Sequence, residues 1–186
     1  GPVLQWCTRR RELLGFPSPY EADCVYKHRY VFTLEHHRRL TRDAPRLPFV
    51  NRTPRAVWRG TCTGLASAWR VDNLEHVPRA KIAKLSRDHP ALIDAVLFPC
   101  SRCAHLLRQQ PALFGSDDQA LTDAQYASFK YVIDLDGDGC SGRLSKLFES
   151  GAVVLKPWQL GSPFFSRAIK PWVHYVPLKV DLSALL

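Results

Sequence analysis

The chain lacks a membrane span: no run approaches the roughly 18 apolar residues that a spanning helix needs. Its first eleven residues turn basic at once and carry no apolar signal core, so either the protein is cytosolic or its targeting segment lies outside this chain. It has neither repeats nor a low-complexity tract. It has no recognisable RNA- or DNA-binding module, no Lys-Ser/Thr ending that would make a P-loop, and no GxGxxG spacing. A zinc framework is incomplete as well. Cys100-x-x-Cys103 with His105 looks like half of a structural site, but no second CxxC or HxxxH pair supplies the remaining ligands. The expectation is therefore no metal, no cofactor and no nucleic-acid partner.

What is present suits a folded domain. Of 186 residues, 46% are hydrophobic and 11% aromatic, enough for a buried core in one domain or one domain with an extension. Lys and Arg number 26 against 17 Asp and Glu, a net charge of +9. With no nucleic-acid module to absorb it, that excess beyond a solvated basic surface favours a small polyanion such as a nucleotide diphosphate. The six cysteines (Cys7, Cys24, Cys62, Cys100, Cys103 and Cys140) permit disulfides without specifying them. The sequon Asn51-Arg52-Thr53 fits a secretory protein, although Pro54 directly after it disfavours glycosylation.

Residues 1–53 mix basic runs with Pro17, Pro19, Pro45 and Pro48 and read as an irregular extension or the remnant of a preceding domain. Within them, residues 25–34 suit a strand or a short helix, and 34–40 a helical turn or two. Residues 54–186 alternate more regularly. Strands are expected at 56–58, 91–98, 130–135, 152–155 and 172–176, and helices at 78–86, 122–129, 143–149 and 163–169. Strand–helix alternation predicts an α/β fold: a Rossmann-like parallel sheet with flanking helices.

Two turns could carry chemistry. Asp134, Asp136, Asp138 and Gly139 match the first positions of an EF-hand loop, but Ser145 stands where a bidentate Glu is needed, and a strand rather than a helix precedes the loop. The same stretch also reads as strand, Gly-rich turn and helix start, a geometry that can bind an anion. Helix N-terminal N–H groups and the helix dipole favour negative charge there. Gly137, Gly139 and Gly142 permit close backbone approach. Ser141 offers a hydroxyl and Arg143 a planar fork of donors, and Asp136 opens the turn. A plain tight turn with a solvated Arg143 explains this segment equally well. The second turn, Arg59-Gly60-Thr61, again places Arg, Gly and a hydroxyl at a strand end, where ligands sit in open α/β sheets.

Taken in order, these segments resemble the family 90 glycosyltransferases, which include the Rumi-like, KDEL-containing protein O-glucosyltransferases and the fungal capsule-associated xylosyltransferases. Trp58-Arg59-Gly60-Thr61 resembles the family's aromatic-Arg-Gly-Ser/Thr segment. Pro78-Arg79, Leu85-Ser86-Arg87, His89-Pro90 and Asp94-Ala95 follow, then Lys130-Tyr131, Asp136-Gly137, Ser141 and Arg143. Lys170-Pro171-Trp172-Val173-His174-Tyr175-Val176-Pro177 is the most specific match. The resemblance implies the C-terminal, nucleotide-sugar-binding half of a GT-B enzyme. It further implies an inverting, metal-independent transfer of glucose or xylose from a UDP-sugar to a hydroxyl on protein or glycan, in the lumen of the endoplasmic reticulum or Golgi. Arg59, Gly60, Thr61, Asp136, Gly137, Ser141 and Arg143 then line the donor site. The acceptor site and the catalytic base belong to the first half, which residues 1–48 are too short to form. Arg42-Asp43-Ala44-Pro45 is similar to the Arg-Asp-x-Pro around that base, but falls directly before the second half, out of order with it. A binding module without turnover on the same fold is the alternative, followed by a metal-stabilised structural domain.

Overall fold

The computed structural model describes residues 47–64, 66–138, 141–157, 162–163, 168–183 and 185–186, together with the backbone of Leu4–Gln5, Cys7–Thr8 and Leu14–Gly15. Five strands form one sheet: β1 (Thr53–Thr61), β2 (Ile93–Phe98), β3 (Phe129–Ile133), β4 (Val153–Pro157) and β5 (Val176–Leu178). All neighbours are parallel, in the order β2-β1-β3-β4-β5. The expected α/β class, a Rossmann-like parallel sheet with flanking helices, is the fold observed.

β1 is the long inner strand. Residues 56–60 are buried, as expected for a strand covered on both faces. Pro54 sits inside it, which an inner strand rarely tolerates. The register with β3 shifts between Thr53 and Ala56, an irregularity of the kind that accommodates a proline.

Side chains alternate between two faces. On the first, Ala56, Trp58, Ile93, Ala95, Leu97 and Ile133 pack against α1 (Pro78–Asp88) through Ala80, Ile82 and Ala83. Pro78 occupies the first turn of α1, where its missing N–H costs nothing. Leu106 of α2 (Ala104–Gln109) joins this layer, as do Leu178 and Leu182. On the second face, Val57, Val132 and Val154 meet Tyr126 of α3 (Asp123–Tyr126) and Leu144 and Leu147 of α4 (Leu144–Glu149). Thr122 caps α3: its hydroxyl accepts from the Gln125 backbone N–H at 3.2 Å, while the Gln125 side chain reaches back to Thr122 N.

Two expectations need correction. The last strand spans 176–178, not 172–176. Residues 170–175 instead form a turn, with Trp172 N donating to Tyr175 O (2.7 Å) and His174 N to Lys170 O (3.0 Å). Trp172 adopts a left-handed φ of 64°, which no strand residue takes. The helix expected at 163–169 does not begin at Pro163: Ser162–Pro163 pairs antiparallel with Cys7–Thr8, and 164–167 lie outside the described residues. The readings at 25–34, 34–40 and 42–45 also lie outside them.

Candidate functional site

In a 2-1-3-4-5 sheet the chain leaves β1 toward β2 on one side and returns to β3 on the other. The loops leaving β1 and β3 therefore diverge and open a crevice at the carboxyl ends of these strands. Arg59-Gly60-Thr61, expected as a turn, are instead the last residues of β1, and Asp134–Asp138 leave the end of β3; both stretches stand at this switch point.

The crevice is organised by a residue that enters from α1. Arg79 is 7% exposed. Its Nε donates to Asp136 O (2.8 Å), one terminal nitrogen to Thr61 O (2.9 Å) and the other to Leu135 O (3.0 Å). One side chain thus ties the exit of β1 to the exit of β3. It lies over the Trp58 indole at 5.5 Å. Burial, followed by the nearby Arg143 charge, lowers its pKa to about 10, while Asp134, Asp136 and Asp138 oppose that shift. The glycines of both turns make room for this arrangement. A Cβ on Gly60 would come within 2.4 Å of Trp58 and 3.2 Å of Arg79; one on Gly137 would come within 2.5 Å of Thr63 Oγ1 and 3.0 Å of Arg79.

The sequence-predicted residues gather around this clamp in different roles. Thr61 is exposed at the end of β1, and Ser141 is half-buried across the crevice. Asp136 Oδ1 accepts from Ser141 N at 2.9 Å and closes the turn. Arg143 caps α4, half-buried, and donates to the Arg59 carbonyl. It borders a cleft of about 440 Å³ on the second face, lined also by Tyr126, Asp123, Lys146 and Leu147. Burial raises the Tyr126 pKa, and the charges of Arg143 and Arg59 work against that rise. The Arg59 guanidinium turns the other way: it pairs with Asp94 at 2.8 Å and donates to Gln119 O at 2.7 Å, 9% exposed.

The three aspartates of the EF-hand-like run point to separate partners. Asp134 is fully buried against Lys156 (3.3 Å). Asp136 holds Ser141, and Asp138 accepts from Gly64 N (3.1 Å) and pairs with Arg102. That pairing lowers the Asp138 pKa. Among the described residues, the group with metal-ligand proximity is instead Cys62, Cys100 and Cys103, but Cys62 and Cys103 are joined as a disulfide.

Arg79 lies in a segment that resembles the family, and no site role was legible for it there. A signal was available: a cation stands in the first turn of α1, where the helix dipole disfavours it and no acid accompanies it. An arginine there needs a tertiary reason. The most specific motif, residues 170–177, lies at the amino end of β5, away from the crevice, with Trp172 75% exposed.

A parallel 2-1-3-4-5 sheet with two glycine-bearing loops converging on arginines at its switch point defines a Rossmann-like α/β domain with a ligand crevice. The chain belongs to glycosyltransferase family 90: the model of the family described as "Glycosyl transferase family 90" matches residues 2–185. It is 31% identical over 108 residues to protein O-glucosyltransferase 2 of Danio rerio, an alignment covering 58% of this chain and 21% of that protein. It is 28% identical over 144 residues to protein O-glucosyltransferase 1 of Homo sapiens, covering 77% and 33%. An uncharacterized protein, 035R of Invertebrate iridescent virus 3, is 30% identical over 146 residues, covering 73% and 13%. The chain thus spans a third or less of the length of these relatives.

Proposed function

We propose that residues 54–186 form the donor-binding half of a GT-B glycosyltransferase, which takes glucose or xylose from a UDP-sugar and delivers it with inversion to a hydroxyl of a protein or glycan. The observation that carries this reading is the convergence of the loops after β1 and β3 on Arg79 and Arg143 at the switch point. Family membership and the names of the related O-glucosyltransferases support the same class.

In the proposed reaction, the acceptor hydroxyl oxygen attacks the anomeric carbon. The bond from that carbon to the β-phosphate oxygen breaks, UDP departs, and a base outside the described residues takes the hydroxyl proton. This chain's part is to hold the diphosphate and stabilise its growing charge with cations and oriented N–H groups rather than a metal. Arg143 is assigned the diphosphate, with Ser141, Gly137 and Thr61 bordering the ligand. Asp136 holds Ser141 in place. Arg59 and Gly60 act by positioning, Arg59 by bracing β1 against Asp94 and Gly60 by admitting Trp58 and Arg79. The secretory lumen is the proposed location, and the Cys62–Cys103 disulfide suits an oxidising compartment. No described helix is long and apolar enough to cross a membrane.

Calorimetric titration of UDP tests the assignment. A charge-assisted bidentate contact contributes about 1.5–3 kcal/mol, so Arg143→Ala should weaken binding roughly tenfold to hundredfold, and Arg143→Lys should recover only part. Equal binding by wild type and Arg143→Ala would sink the assignment. UDP binding without UDP-sugar turnover by the full-length protein would favour a non-catalytic nucleotide-binding module.

A further inference from the structure

We propose that Cys62, Cys100 and Cys103 form a thiol–disulfide exchange site, in which the Cys100 thiolate attacks Cys103 and displaces Cys62. The three sulfurs lie within 4.8 Å of one another at the carboxyl end of the sheet. Cys62 and Cys103 are bonded and fully buried, while Cys100 is the free cysteine among the described residues and is half-buried. The backbone holds it against the bridge: its thiol donates to Cys62 O at 3.5 Å, and its own N–H donates to Cys103 Sγ at 3.4 Å. Arg102 stands between the two cysteines of the CxxC and is paired with Asp138.

The step balances without any external oxidant or reductant. One S–S bond forms between Cys100 and Cys103 as the Cys62–Cys103 bond breaks, and the proton lost from Cys100 is regained by Cys62. The bridge shifts from a sequence separation of 41 residues to one of three. Before exchange, Cys62 anchors the β1 exit to the loop after β2; afterwards Arg79 alone of these two ties still holds Thr61. Exchange therefore removes the covalent tie at Cys62, while Asp138 and Arg102 still hold Gly64.

Bridge connectivity is the readout, so the result does not depend on any nucleotide reading. The oxidised full-length protein is held at pH 6.5, 7.5 and 8.5 with iodoacetamide, quenched in acid and mapped by peptide mass spectrometry. The expected products are alkylated Cys62 together with a Cys100–Cys103 bridge, appearing faster at the higher pH because a thiolate is the attacking species. Cys100→Ser keeps the original bridge and should abolish Cys62 alkylation. Alkylation confined to Cys100 at every pH overturns the proposal, as does Cys62 alkylation that persists in Cys100→Ser. Cys62→Ser provides a second check: air oxidation should join Cys100 to Cys103, and recovery of two free thiols in the folded variant counts against the site.

Discussion

The two faces of the sheet each bring an arginine to the same crevice and leave it in opposite conditions. On the first face a thick layer built around α1, Trp58 and the Cys62–Cys103 bridge buries Arg79 and commits its guanidinium to three backbone carbonyls. On the second, a cluster that among the described residues is smaller, around Val57 and Leu144, leaves a cleft at whose edge Arg143 stays half-buried. A guanidinium committed to three main-chain acceptors positions the site, whereas one that meets a single carbonyl, that of Arg59, and borders a cleft keeps donors for a ligand. Packing depth, more than residue type, divides the two roles.

Substitutions can break that contrast. The largest effect is expected for Arg79→Ala, which strands three carbonyls at about 1–3 kcal/mol each where water cannot replace the donor; urea denaturation should reveal a loss of roughly 4 kcal/mol. A loss below about 1 kcal/mol would mean the first face is not the rigid one. Next comes the double variant Cys62→Ser, Cys103→Ser. The closed loop spans 41 residues, so loop-closure entropy alone predicts roughly 3–4 kcal/mol, read in the same denaturation experiment without reductant.

The cores themselves can be compared. Ile82 and Val57 are both fully buried, on the first and second face respectively. Ile82→Ala should cost about 3 kcal/mol, within the usual range for buried aliphatics, and Val57→Ala about 1–2, because a smaller side chain is lost. Equal costs would argue that the second face is as tightly packed as the first. Arg143→Ala should cost about 1 kcal/mol, because it leaves one carbonyl, that of Arg59, without its donor rather than three. If it unfolds the domain, Arg143 belongs with Arg79.

The smallest effect concerns pH. The Asp138 pKa is held below its ordinary 3.8, chiefly by Arg102. Its contribution is therefore complete above pH 3.8 and is lost as pH falls through the lower folded-state value. Asp138→Asn should remove that part of the acid sensitivity while leaving stability at neutral pH nearly unchanged, because the pair is exposed. An unchanged acid profile would show that the contact contributes nothing.

Local sequence carried much of this. The strand–helix alternation after residue 54 was readable because β-branched runs and helical spacing are properties of contiguous residues. The turn holding Asp136, Gly137, Ser141 and Arg143 was readable for the same reason. Where 172–176 was read as a strand, the apolar run was real, but hydrogen bonds from Trp172 and His174 close it into a turn first. The helix α2 was not anticipated, since it follows directly on the CxxC and is only six residues long.

By itself, then, the sequence determined the class of fold, the two turns that border the crevice and the family to which the chain belongs. Only tertiary structure decided the strand order that places those turns at one switch point, because parallel pairing joins segments some 75 residues apart, as Val57 does with Val132. It also decided which arginine is which. Arg59 faces Asp94, Arg79 the carbonyls of Thr61, Leu135 and Asp136, and Arg143 the Arg59 carbonyl and a cleft. Three chemically identical side chains acquire their roles from what burial and the nearest acceptors leave each one to bind.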